Sequence, residues 1–144
     1  MTDGLQIPII TLWNLLLVPL QGDISDRQAE QLTEAVLGRI ARGSVRALII
    51  DASGVWMMDS HLCNTLTRLS ASAQLMGAPS IICGVSPEVV MTLQAMGVEL
   101  SRMRTALTLE DALESFQIGP REATVDPGGL QLAAEMLRAS ERRR

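Results

Sequence analysis

Lysine and tyrosine are both absent from this 144-residue sequence, and aromatic residues make up only 2% of it. Without lysine there is no Schiff-base chemistry and no phosphate-loop lysine. With so few aromatic side chains, a stacking surface for single-stranded nucleic acid is nearly excluded. The net charge is −4, and a negative field repels phosphate backbones and anionic lipid surfaces. We therefore expect neither nucleic acid nor membrane as a partner.

Metal ligands and nucleophile–base pairs are equally scarce. His61 is the single histidine, and Cys63 and Cys83 lie twenty residues apart, which matches no metal-site spacing. Asp59, Ser60 and His61 are consecutive on a predicted helix, where neighbouring side chains point about 100° apart and cannot form a catalytic relay. The sequence thus predicts a non-catalytic protein with no metal and no cofactor. Both thiols are expected to be small buried hydrophobes in a reduced compartment.

No targeting or membrane-spanning segment is predicted. The apolar stretch from Ile7 to Leu20 is preceded by Asp3 and by no basic residue, and Pro8 and Pro19 interrupt it. No stretch approaches the roughly 18–20 apolar residues of a membrane span. The expected location is the cytoplasm.

Strand and helix signals alternate along the first 119 residues. The predicted strands are 7–13, 15–20, 47–50, 80–83 and a weak 104–107. Helices are predicted from Ser25 to Gly43, Asp59 to Met76, Ser86 to Gly97 and Thr108 to Phe116. This order predicts an α/β domain whose sheet is mixed, mostly parallel and four- to five-stranded, with about four helices.

The apolar positions define the expected core. The runs 47–50 and 80–83 are continuous, as in strands that are covered on both faces. Helical spacing predicts three inward stripes: Ala29, Leu32, Val36 and Ile40; Leu62, Leu66, Leu69, Ala73 and Met76; Val89, Leu93 and Met96.

The composition changes after residue 119. Residues 120–129 contain two prolines and two glycines and are predicted to form a linker. Leu130, Ala133, Ala134 and Leu137 follow at helical spacing, as in a short amphipathic helix. The expected organisation is a domain at 1–119 and, at 120–144, a linker with a short helix or flexible tail.

The segment 51–60 joins a buried strand to a helix, at the edge of the sheet where α/β proteins meet ligands and partners. The pattern favours Ser60 as the helix N-cap, but Asp59 is an equally good cap. If Asp59 is the cap, Ser60 lies in the first turn with its hydroxyl facing solvent, open to a kinase.

Two large apolar residues in the same segment are expected to be exposed. Alternation places Val55 and Met58 inward and leaves Trp56 and Met57 outward, at least partly exposed at a partner surface. The alternative is that Trp56 packs over the second helix as ordinary core.

Seven short segments between Ile7 and about Ile118 form an ordered pattern: Ile7-Pro-Ile, Asp51-Ala-Ser53, Asp59-Ser60, Leu75-Met-Gly-Ala78, Gly84-Val-Ser-Pro87, Leu93 to Gly97 and Thr105 to Glu110. In their order and spacing, these segments resemble the STAS domain, which is the fold of the anti-sigma-factor antagonists. Within that family they resemble the RsbS-like branch, the small scaffold of bacterial stressosomes, although Trp56 stands where relatives commonly have a polar residue.

The resemblance implies a phosphorylation-controlled scaffold or antagonist without catalytic activity. Ser60 would be phosphorylated by a switch serine/threonine kinase, beside the carboxylates of Asp59, Asp51 and Asp23. Trp56, Met57 and His61 would contact partners. The unmodified scaffold would sequester the kinase and assemble with a sensor-bearing, RsbR-like STAS paralogue into a large hetero-oligomer.

Two alternatives remain at this point. One is a stand-alone antagonist that binds an anti-sigma-factor kinase directly. The other, weaker, is a small-molecule or nucleotide-binding domain that uses the loop end of the sheet.

Overall fold

The computed structural model describes residues 6–98, 103–117 and 127–142, and for 127–133 the backbone alone. Within these ranges there are five strands and five helices. The strands are β1 (Ile10–Leu12), β2 (Leu15–Gln21), β3 (Ala47–Gly54), β4 (Ser80–Cys83) and β5 (Arg104–Ala106). The helices are α1 (Asp26–Ala41), α2 (Ser60–Leu75), α3 (Pro87–Ala95), α4 (Leu109–Ser115) and α5 (Pro127–Arg142).

The strands form one sheet in the order β1-β2-β3-β4-β5. The hairpin of β1 and β2 is antiparallel, and every other pair is parallel. The predicted α/β class and mixed, mostly parallel sheet are confirmed. Because β2 to β5 are parallel, their carboxyl ends and the amino ends of the helices that follow meet at one edge of the sheet.

Each face of the sheet is covered by helices. On one face, alternate residues of β2 and β3 pack against α1, α2 and α3 in the larger core cluster. On the other face, Leu15, Ile49 and Ile81 pack against α4, whose Ala112 is fully buried. The predicted burial of the runs 47–50 and 80–83 on both faces is confirmed.

The helices begin where their capping residues predict. Ser25 forms the expected capping box: its Oγ accepts a hydrogen bond from the Gln28 N–H at 3.1 Å, and its own N–H donates to Gln28 Oε1 at 2.9 Å. The predicted stripe of α1 is buried at all four positions. At the starts of α3 and α4, Ser86 Oγ accepts a hydrogen bond from the Val89 N–H and Thr108 Oγ1 accepts one from the Asp111 N–H.

Several expectations are corrected. β1 is shorter than the predicted strand 7–13, and β3 continues past residue 50 to Gly54. Met76 and Met96 are 43% and 51% exposed, because each is the C-cap residue, where the helix has ended and the inward periodicity no longer applies.

The C-terminal helix is present as α5. Residues 118–126, which include most of the predicted linker, lie outside the described residues, so the division at residue 119 remains a prediction. No helix in the described ranges is long and apolar enough to cross a membrane.

Candidate functional site

Asp59, not Ser60, is the N-cap of α2. Its Oδ1 accepts a hydrogen bond from the Leu62 N–H at 2.7 Å, and its backbone is extended. The cap role that the pattern favoured for Ser60 is therefore wrong, and the alternative is confirmed. An ionised carboxylate also interacts more strongly than a hydroxyl with the positive end of the helix dipole.

Ser60 is the first residue of α2. It is partly buried, and its hydroxyl makes no hydrogen bond within the described part of the chain. Its position in the first turn also leaves its backbone N–H without an intrahelical partner. A group attached to Ser60 Oγ would therefore meet the positive end of the helix.

The amino ends of α1 and α2 lie side by side at this edge. The Gly22 N–H donates to the Gly54 carbonyl at 2.9 Å, which ties the end of β2 to the end of β3. At Gly54 the backbones approach so closely that a Cβ would lie 2.8 Å from the Leu20 carbonyl oxygen, so a glycine is needed. His61 Nε2 consequently comes within 3.5 Å of Asp26 Oδ1.

The three carboxylates predicted around Ser60 lie in different places. Asp59 is adjacent to it as the cap, and Asp23 is exposed in the loop that leads to α1. Asp51 lies within β3, on the face of the sheet that α4 covers, and accepts a hydrogen bond from the Ser53 N–H at 3.0 Å. The structure therefore places the Asp51 carboxylate on the face away from α2, because alternation along β3 turns it there.

Trp56 and Met57 are 80% and 75% exposed, whereas Val55 and Met58 are buried. The expected exposure of the two residues is confirmed, and the alternative in which Trp56 packs as core is wrong. Both residues line a groove of about 200 Å³ between the loop and α3. The other lining residues are Met58, Asp59, Glu88, Val89, Thr92 and Met96.

The two cysteines are structural. Both are fully buried and unpaired. Burial, and then the negative charges of Asp51 and Glu110, raise the pKa of the Cys83 thiol to about 12. Burial also raises the pKa of the Cys63 thiol. Neither is the low-pKa thiolate that reactive cysteines need. Among the described residues no group of three or more His, Cys, Asp or Glu side chains could hold a metal ion.

Two features of the site were missed from the sequence. Asp26 was assigned only to the dipole of α1, although its position in the first turn of α1 and the parallel β2–β3 pair together bring it to His61. The α3 side of the groove was missed because Met96 was assigned to the core. Glu88, Thr92 and Met96 recur at intervals of four, and that spacing was the available signal.

Ser60 thus begins α2 beside an exposed apolar loop, at one edge of a mixed five-stranded sheet. The profile of the STAS domain matches residues 6–112. The chain belongs to the STAS domain family.

Its relatives include RsbT co-antagonist proteins and a chain from a structure of the stressosome. The RsbT co-antagonist proteins RsbRA and RsbRB of Bacillus subtilis are 27% and 32% identical over 112 and 114 residues, which is 77% and 78% of this chain and 41% of each relative. The chain therefore spans about two-fifths of the length of these relatives. Moorella thermoacetica RsbS matches with a TM-score of 0.68 and 30% identity, over 77% of this chain and 94% of that one. A chain from a structure of the stressosome, described as a signal integration and transduction hub, matches with a TM-score of 0.64 and 31% identity, over 76% of this chain and 96% of that one.

Proposed function

We propose that this chain is a non-catalytic, phosphorylation-controlled scaffold of a bacterial stress-response partner switch, with Ser60 as the phosphoacceptor. The observation that carries the proposal is the position of Ser60. It begins α2, its hydroxyl has no hydrogen-bond partner in the described part of the chain, and Asp59 performs the cap role in its place. Ser60 can therefore be modified without removing a contact that holds the helix.

The phosphate is expected to act on binding and not on folding. It adds a charge of about −1.5 to −2 and three acceptor oxygens at the positive end of α2, which stabilises the anion. Asp59 and Asp23 repel the new charge and offset part of that gain. The domain stays folded, and the surface beside Trp56 becomes more negative.

Two kinds of partner follow from the relatives. RsbRA and RsbRB are named as co-antagonists of RsbT, and the stressosome chain belongs to an assembly. By analogy, the unmodified chain assembles with an RsbR-like STAS paralogue into a large hetero-oligomer and sequesters a switch serine/threonine kinase, which phosphorylation of Ser60 releases. Trp56, Met57 and His61 are exposed, lie within four residues of Ser60 in the chain, and are proposed to contact the kinase.

Mass spectrometry of the chain after incubation with the cognate kinase and Mg-ATP tests this function. One phosphate is expected on Ser60 and none on Ser60→Ala. Ser53→Ala is the matched control, because Ser53 is an exposed serine of the same segment. Phosphate on Ser53 or Ser86, or undiminished labelling of Ser60→Ala, would show that another serine is the acceptor.

Binding measurements with the same kinase test the switch. Ser60→Asp should weaken kinase binding without changing the circular dichroism spectrum, and Ser60→Ala should bind and stay bound when ATP is added. Light scattering of the chain with its paralogue should give a large assembly. A monomer or dimer that binds the kinase by itself would favour the stand-alone antagonist instead.

A further inference from the structure

Charge is segregated between the two ends of the parallel strands. We define the acidic end as the residues from the carboxyl end of each of β2 to β5 through the first turn of the following helix. Its positive groups are Arg27 and, when protonated, His61. Its acidic residues are Asp23, Asp26, Asp59, Glu88, Glu110 and Asp111.

At the opposite end, residues 13–14, 41–46 and 75–79 are the segments that precede β2, β3 and β4, and we call these three segments the basic end. It contains Arg42 and Arg46 and no acidic residue. Hydrogen bonds hold these segments together: the Arg46 N–H donates to the Asn14 carbonyl at 2.7 Å, and the Leu48 N–H donates to the Pro79 carbonyl at 3.0 Å.

The basic end also exposes large apolar side chains. Leu75 is 90% exposed, Trp13 71% and Met76 43%. Acidic residues at helix starts and arginines at helix ends follow from the helix dipoles. The dipoles give no reason for an exposed tryptophan and an exposed leucine among those arginines. Large exposed apolar side chains at an end that carries arginines are typical of an interaction surface.

The chain itself carries a surface of the opposite character. The groove between the Trp56 loop and α3 has apolar walls and holds about 200 Å³, and its polar lining residues include the carboxylates of Asp59 and Glu88. The groove therefore matches, in polarity and in charge, an apolar side chain that is flanked by arginines. The basic end presents such side chains.

We propose that the basic end of one chain docks into the acidic-end groove of a second copy. The two surfaces are different, so the contact is head to tail, and a pair of chains keeps one free basic end and one free groove. Association therefore grows with concentration, and salt weakens it because the rim charges are exposed. The inference does not depend on phosphorylation of Ser60. It predicts, however, that a second copy and a kinase bound at Trp56 compete.

Sedimentation velocity of the full chain over a concentration series tests the contact. The average sedimentation coefficient should rise with concentration at low salt and fall in about 0.5 M salt. Arg46→Glu and Leu75→Ser should each weaken association by about tenfold or more. Arg68→Glu is the matched control, because Arg68 is exposed in the middle of α2, away from both ends.

A charge exchange makes the test specific for a head-to-tail contact. Arg46→Glu and Glu88→Arg should each associate weakly alone, and an equimolar mixture should recover association because it restores opposite charges at the contact. Circular dichroism of each variant establishes that it is folded.

Three results would overturn the proposal. One is a monomer at every concentration. Another is equal loss of association in Arg46→Glu and Arg68→Glu. The third is a pair of observations on Arg46→Glu: the variant no longer binds vesicles that contain anionic phosphatidylglycerol, which the wild-type chain binds, and it self-associates as the wild-type chain does. The basic end would then bind lipid and not a second copy.

Discussion

Trp56 is the residue whose environment reports most directly on partner binding. It is 80% exposed and lines the groove beside Ser60. Trp13 is also exposed, at the opposite end of the sheet, so the two indoles must be separated. In a Trp13→Phe background, the emission of Trp56 should be red-shifted for the chain alone and should move to shorter wavelength when the kinase binds. An emission maximum that is at short wavelength in the chain alone, or that does not shift when the kinase is added, would contradict a partner surface at Trp56.

Cys83 gives a second prediction at the scale of one residue. The pKa of its thiol is raised to about 12 in the fold against 9.0 for an ordinary thiol, so folding favours the protonated form. Its contribution to stability is complete below about pH 9 and is lost as the pH rises from about 9 to about 12. The chain has no lysine and no tyrosine, so few other groups titrate there.

The measurement is the urea midpoint, followed by circular dichroism at several alkaline pH values. The urea midpoint of the wild-type chain should decrease as the pH is raised beyond about 9. The midpoint of Cys83→Ala should decrease less steeply with pH. At neutral pH the midpoint of Cys83→Ala should be below that of the wild type, because a buried group is lost. The free energy of unfolding can change by at most about 1.4 kcal/mol per pH unit for each thiol that titrates. Identical slopes in the two proteins would show that Cys83 does not titrate differently in the folded state.

Among the elements, α2 depends on Asp59 at its start. Asp59→Ala removes the acceptor for the Leu62 N–H and should lower the free energy of unfolding by about 1 kcal/mol. Asp59→Asn keeps a hydrogen-bond acceptor and should lower the free energy of unfolding by less than Asp59→Ala does. Glu34→Ala, on the exposed face of α1, is the control and should change stability little. If Asp59→Ala were as stable as the control, the cap would not hold α2.

Because Ser60 is not the cap, a measurement of stability can distinguish a structural role of Ser60 from a regulatory one. Ser60→Ala should leave the urea midpoint within the range of surface substitutions while abolishing phosphorylation. Loss of stability in Ser60→Ala would show that the hydroxyl has a structural role in α2.

For the whole molecule, the STAS domain is expected to fold without its C-terminal segment. The family profile ends at residue 112, and Met136 and Leu137 of α5 are 67% and 69% exposed. A helix of this length is marginal by itself in water. Truncation after Gly119 should leave the urea midpoint almost unchanged. A large drop would show that α5 packs on the domain.

The local sequence determined most of the secondary structure and much of the core. Capping residues and helical spacing placed α1 and its four buried residues, and the continuous apolar runs located β3 and β4. These signals work because hydrogen bonding at a helix start and burial of a stripe involve residues a few positions apart. The exposure of Trp56 and Met57 was also predictable, because alternation is a local property.

The tertiary structure decided how distant segments meet. The pairing of His61 with Asp26, the groove between Trp56 and α3, and the position of Asp51 on the other face all depend on strand order and register. The choice of Asp59 over Ser60 as cap also required the three-dimensional course of the loop, since both residues satisfy the local pattern. The gathering of acidic residues at one end follows from the parallel strands β2 to β5, which place the starts of α1 to α4 at one edge of the sheet.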